Sequence, residues 1–260
     1  MRNYCNFMQK ELMENFRAKN ILVLACVFAF FAITSPLMTR YMAEFIGLFA
    51  GGDEMAEGLM AILPEPAYGD SFVSFYGNIA QIGSITVILI YMSSILREKR
   101  TSTADILFSK GLKPWQFVLA KFTVAAGITV VASVFSILVT YIYTFVLFGE
   151  AGHIGFVVLG GLAFSLFLLM LLSITLFFSS FAKSTGQSAV FSLLAYFLVA
   201  LSTVFLRIGQ FSPGSLMSSP IIIGHGYMPD GLLGQIILAI VLSICAVLGA
   251  IRLTVTKVRN

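Results

Sequence analysis

Charge is what this sequence has least of. Asp, Glu, Lys and Arg make up 11% of its 260 residues, against roughly 25% in a soluble domain. With a mean hydropathy of +0.96, the chain is not an ordinary soluble globule. No polar stretch reaches the roughly 40–50 residues that a separate soluble domain needs. Cysteine is scarce as well. Cys5, Cys26 and Cys245 are odd in number and scattered, which excludes a disulfide framework and leaves them as small apolar fillers. The only histidines, His153 and His225, lie far apart without metal-ligand spacing, so no metal is expected. The phosphate loop G-x-x-x-x-G-K-[ST] is missing, and with it the usual seat for ATP.

What is present is one apolar run after another. Each is about as long as the 20 residues that cross a bilayer as a helix. Six spans are expected: 21–38, 72–96, 117–148, 155–181, 188–206 and 232–253. The first follows a mixed segment of twenty residues and exceeds the 7–15 apolar residues of a signal peptide, so it reads as a retained span. The fold class is therefore an all-α polytopic membrane protein, a single transmembrane domain over residues 1–260. The middle of every span lacks Asp, Glu, Lys, Arg and His. Ion-coupled carriers and proton pumps place such groups near mid-membrane. Their absence argues against secondary transport and for an external energy source.

Between the spans the chain is more varied. Residues 1–19 alternate with helical period. Tyr4, Phe7, Met8, Leu12 and Phe16 are assigned to one face, and Asn6, Gln9, Lys10, Glu14 and Arg17 to others. That is the pattern of a helix lying in the membrane interface. Residues 39–71 are acidic, with short amphipathic helices broken at Gly51-Gly52 and stopped by LPEP (63–66). Residues 207–231 are rich in Gly, Pro and Ser. They read either as an external loop or as a segment dipping back among the helices, where its backbone is covered.

Basic residues set the orientation. Four lie in residues 1–20, six in 96–122, one at Lys183 and three at the C-terminal end; the other side has Arg40 and Arg207. Both termini are thus expected in the cytoplasm, in agreement with an even number of spans. The net charge of +4 follows this membrane rule, so no nucleic-acid partner is expected; the lipid bilayer is.

The segment LREKRTSTADILFSKGLKPWQFVLAKF (96–122) stands out as polar in a mostly lipid-like chain and carries six of the sixteen Lys and Arg. Ser102 and Asp105 fit a capping box, and Asp105 suits the positive end of a helix dipole. Ile106, Leu107 and Phe108 form an apolar patch. Gly111 can close the helix in a left-handed conformation, and Pro114 suits the first position of the next helix. Trp115 suits the headgroup layer. The expectation is a two-turn helix within a cytoplasmic loop, 97–114, that leads into span 3. A bare connector needs only a few polar residues; an apolar patch on a capped helix seeks a groove or a membrane surface.

These residues resemble the permease subunits of ABC-2 type transporters. Glu98, Thr103, Ile106, Leu107, Ser109, Lys110 and Lys121 hold the places of that family's span-2 glutamate, coupling helix and span-3 lysine. Ser102 stands where the family often has Gly, and Gly111 where it often has Pro. KELMENFRAKN (10–20) is similar to its interfacial elbow helix. SPLMTRYMAEF (35–45) and LPEPAYGDSFVSFYGNIAQIG (63–83) are similar to its external connector and the start of span 2. The likeness covers the first half; the second half matches in hydropathy. The resemblance implies a permease of an ATP-driven exporter in the cell membrane. It implies a second permease, the same or related, and a cytoplasmic ABC ATPase that supplies the ATP site; the permease binds no cofactor itself. Glu98, Thr103, Asp105, Ile106, Leu107, Phe108 and Lys110 would couple the two.

Thr129, Ser133, Ser136, Thr140 and Thr144 form a polar stripe along span 3. It reads either as part of an export path or, the favoured reading, as small-residue packing between helices. Two other functions remain open. One is a non-transporting scaffold that anchors a cytoplasmic protein. The other is an intramembrane hydrolase using Ser215 and His225, for which no nucleophile motif is present.

Overall fold

The computed structural model describes residues 2–42, 44, 45, 66–204, 209–224, 227, 229 and 231–259. Its helices are α1 (Arg2–Arg17), α2 (Asn20–Arg40), α3 (Tyr68–Asn78), α4 (Ser84–Tyr91), α5 (Ser94–Arg100), α6 (Thr103–Ser109), α7 (Pro114–Phe148), α8 (Ile154–Phe181), α9 (Thr185–Leu201), α10 (Ser219–Gly224) and α11 (Leu232–Arg259). The amphipathic helices expected between Phe45 and Pro66, and His225, lie outside the described residues. Among the described residues, six stretches are long and apolar enough to cross a membrane: Asn20–Arg40, Tyr68–Arg100, Pro114–Phe148, Ile154–Phe181, Thr185–Val204 and Leu232–Val255. Each overlaps one of the six runs read from the sequence.

The third span is longer than a bilayer requires. Its 35 residues extend about 52 Å at 1.5 Å per residue, against a hydrocarbon core of roughly 30 Å. The helix therefore outruns the core, and its first turns carry Trp115 and Lys121.

The fourth span, α8, is the hub of the bundle. It packs against α4, α5, α7, α9, α10 and α11, and 67% of its most apolar window is buried, against 17% for the last two spans. Two adjacent glycines permit this. A Cβ at Gly161 would lie 2.4 Å from Ile137 Cδ1 on α7, and one at Gly160 would lie 3.0 Å from the Pro220 backbone on α10. The described part of 207–231 thus folds back onto the bundle as two 3₁₀ turns and α10, with Leu216 and Ile223 buried.

The second span is a chain of segments. A π turn over Ile79–Gly83 separates α3 from α4, and the Ala80 carbonyl inside it accepts a 2.8 Å hydrogen bond from Tyr196 Oη. Such turns open the helical ladder and expose a carbonyl to an outside donor. The helix breaks again at Met92–Ser93 and restarts as α5. The new start is capped from another span, since Ile95 N–H and Leu96 N–H donate to Ser179 Oγ on α8 at 3.1 and 3.2 Å. This satisfies two of the orphan donors of a helix N-terminus.

Two expectations about the short helices need correction. Phe16 was assigned to the face of Phe7, but nine residues at 3.6 per turn is half a turn out of phase. Accordingly Phe7 is buried against α7, while Leu12, Met13 and Phe16 are exposed. At α6, Ser102 does not cap with its side chain; it takes φ 54, in the left-handed region. Gly111 closes the helix at φ 88 as expected, and Pro114 opens α7.

Candidate functional site

At the basic end of the bundle three elements meet on buried charge. Glu11 comes from α1, Glu98 from α5 at the end of the second span, and Lys121 from α7 at the start of the third. Each is 3–4% exposed. Lys121 Nζ lies 2.9 Å from both Glu11 oxygens and 3.1 Å from Glu98 Oε1. Lys10 Nζ reaches the same Glu98 oxygen at 2.5 Å and Glu14 at 2.9 Å, and Arg97 pairs with Glu14. Charges buried this deeply persist only when paired.

The carboxylate oxygens of Glu11, Glu14 and Glu98 lie within 4.8 Å of one another. Lys10, Lys121 and Arg97 balance them, so the arrangement is an ion-pair cluster rather than an uncompensated acidic cage. Burial works against the Lys10 ammonium. The Glu98 hydrogen bond and the charges of Glu11 and Glu98 outweigh that, holding its pKa above the ordinary value. Glu98 Oε2 is buried without a hydrogen-bond partner among the described residues.

Aromatic rings connect the cluster to α6. Phe117 of α7 stacks on Phe7 of α1 with centroids 5.6 Å apart, and takes Phe108 of α6 edge-on at 5.6 Å. Lys121 Nζ sits 5.2 Å from the Phe117 ring centre and Lys10 Nζ 5.2 Å from that of Phe7, within cation–π range. The expected exposed patch is thereby reduced. Ile106 is 55% exposed, while Leu107 and Phe108 are half-buried and packed on the core. A helix of seven residues has too few internal hydrogen bonds to stand alone, and these two side chains anchor it. Thr103 is half-buried, and Asp105 and Lys110 are exposed beside Ile106.

Open clefts flank the anchored helix. One of about 270 Å³ lies toward Phe7 and Lys10. Another of about 370 Å³ lies toward Lys183 and Thr254, so the end of α11 shares this end of the bundle. Lys99 Nζ donates to the Ser180 carbonyl at 2.8 Å, and Arg100 donates to the Lys183 carbonyl. Cations here satisfy carbonyls at the end of α8. The loop and the α8–α9 turn therefore form one braced surface.

The stripe of Thr129, Ser133, Ser136, Thr140 and Thr144 is at most 1% exposed. Thr129 and Thr140 return their hydroxyls to carbonyls of their own helix, and Ser165 of α8 donates to Ser133 Oγ at 3.1 Å. Ser215 Oγ donates to the Gly209 carbonyl at 2.5 Å, so its hydroxyl is committed to a turn. His153 is exposed at the opposite end of the bundle.

Glu11 and Ser179 went unmarked in the sequence, and Lys10 was read only as part of a polar helix face. For Glu11 a signal exists: it is an acid at the i+4 position from Phe7, on the face of Tyr4, Phe7 and Met8. For Ser179 there is none, because its partners lie more than eighty residues away.

Six spans, a terminal helix tied to them by buried charge and a short braced helix beneath define a polytopic membrane protein with a specialised basic end. A profile of the ABC-2 family of transporter proteins matches residues 53–254. The chain belongs to that family, and is thus the membrane component of an ABC transporter, a system that includes an ATPase. The match extends through the second half, where hydropathy alone had suggested likeness, and begins after α1 and α2. The chain is also 22% identical over 182 residues to an uncharacterized transmembrane protein, YxlG, of Bacillus subtilis (strain 168), covering 70% of this chain and 69% of that one.

Proposed function

We propose that the chain is the permease subunit of an ATP-driven exporter, with both termini in the cytoplasm, paired with a second permease, and coupled through α6 to a separate ATPase that binds the ATP. The observation that carries this reading is the Glu11–Lys121–Glu98 cluster. It makes α1, the end of the second span and the start of the third move as one body beneath α6. Force applied to α6 by a partner passes through Phe108 and Phe117 into two spans at once. Ile106, with Thr103, Asp105 and Lys110 around it, is the surface offered to the ATPase. Glu98 works from inside as a positioning residue. The packed stripe on α7 supports a role in holding α7 to α8 rather than in lining a path.

The test is co-purification with the ATPase, together with its stimulation by the permease in proteoliposomes. Ile106→Asp is expected to abolish both while leaving the permease folded, because Ile106 contributes little to the core. Retention of partner binding, stimulation and transport in that variant would overturn the coupling role. A folded complex that binds an ATPase but moves no compound on ATP hydrolysis would point instead to a scaffold.

A further inference from the structure

On the outer surface near the basic end, α1, the start of α2 and α7 enclose a groove of about 520 Å³. Its walls are Leu12, Ile21, Ala25, Val131 and Phe135, and Gly127 lies on its floor. Its one hydroxyl, on Thr123, is turned onto the Leu119 carbonyl at 2.7 Å, so the groove presents almost pure hydrocarbon. We propose that it holds one acyl chain of an anionic phospholipid, with the headgroup at Arg17 and Lys19.

Three observations select this occupant. The first is depth. The groove begins two residues beyond the buried charge of Lys121 and beside Leu12 of the amphipathic helix, where the headgroup layer meets hydrocarbon. From Thr123 to Phe135 it runs about 18 Å along α7, close to half of the roughly 30 Å core. That is the length of one leaflet's chain. The second is shape. A Cβ at Gly127 would meet nothing within 4 Å, so the floor is recessed, while Val131 and Phe135 stand 69% and 58% exposed at the lips. A flexible chain fills such a slot more readily than the broad face of another helix. The third is charge. Arg17 and Lys19 are exposed in the turn that leads to Ile21, and Glu14 is already held by Lys10 and Arg97. Basic groups at this depth attract anionic headgroups, each by roughly fivefold in affinity.

The test uses the full chain in nanodiscs of equal phosphatidylglycerol and phosphatidylcholine, re-extracted into mild detergent, with bound lipid counted by native mass spectrometry. The wild type should keep one phosphatidylglycerol in at least about fivefold excess over phosphatidylcholine. Gly127→Phe should lose it. Gly77→Phe, at another glycine with open space before it, should not. Arg17→Gln with Lys19→Gln, at exposed positions, should keep a lipid but bind both kinds alike. The proposal is overturned if the wild type keeps no lipid, if it keeps the two lipids equally, or if Gly127→Phe retains as much as the wild type. It is also overturned if Gly127→Phe abolishes a two-chain species without changing lipid retention, since a second copy would then fill the groove.

Discussion

Lys121 is a charge that cannot be removed alone. Its side chain is 3% exposed, and the two carboxylates that face it are 4% and 5% exposed. Lys121→Met would leave Glu11 without its bidentate partner and Glu98 with Lys10 alone. Breaking a buried pair from one side costs about 3–5 kcal/mol, whereas replacing the whole group with apolar side chains is often neutral. Lys121→Met should therefore lower the thermal midpoint in detergent markedly. The triple variant Glu11→Leu, Glu98→Leu, Lys121→Met should recover most of that loss. The same pair of variants separates stability from coupling. If the recovered triple variant still stimulates the ATPase like the wild type, the cluster is packing alone; loss of stimulation in a stable protein is the expected result. Glu98 and Lys121 were legible before the structure through their places in a family pattern. Glu11 was not, because an acid 110 residues from its partner leaves no local trace except that it interrupts an apolar face.

At the scale of elements, α5 depends on a hydroxyl from another span. Ser179 receives the N–H groups of the second and third residues of the restarted helix, Ile95 and Leu96, and α5 carries Glu98 and Arg97 into the cluster. Ser179→Ala removes that cap and should cost about 1–2 kcal/mol. It should also raise amide exchange over Ser94–Arg100 above that of Ser84–Tyr91. Equal exchange in the two segments would show that α5 stands on its own ladder. The turn into α6 makes a second case. Ser102 holds φ 54, a conformation that costs a residue with a Cβ about 1–2 kcal/mol, part of which glycine returns as lost chain entropy. Ser102→Gly should thus raise stability by up to about 1 kcal/mol; a drop would mean that its hydroxyl contributes more than its backbone costs. The six spans could be read in advance because hydropathy is local and each run carries its own signal. The π turn, the break at Ser93 and the burial of Leu107 and Phe108 could not, since each is decided by a contact from a distant helix.

For the whole molecule the open quantity is which way the bundle faces, and the distribution of charge argues for one answer. Of sixteen basic residues, fourteen fall in residues 1–20, in 96–122, at Lys183 and in the C-terminal stretch from Arg252, while eight of the twelve acids fall in the connecting segments that alternate with these in the sequence. Basic segments are held back on the cytoplasmic side during insertion. An ATPase also has to reach α6 from the compartment that contains ATP, so the charge rule and the coupling proposal make the same demand independently. Single cysteines placed in a background without Cys5, Cys26 and Cys245 can test it. Ser109 on α6 and His153 before α8 are both exposed and lie at opposite ends. Ser109→Cys should react with a membrane-impermeant maleimide only in inverted vesicles, and His153→Cys only in intact cells. The reverse pattern would place α6 outside, beyond the reach of any ATP-driven partner. That would remove the exporter reading while leaving the fold and the ion-pair cluster untouched.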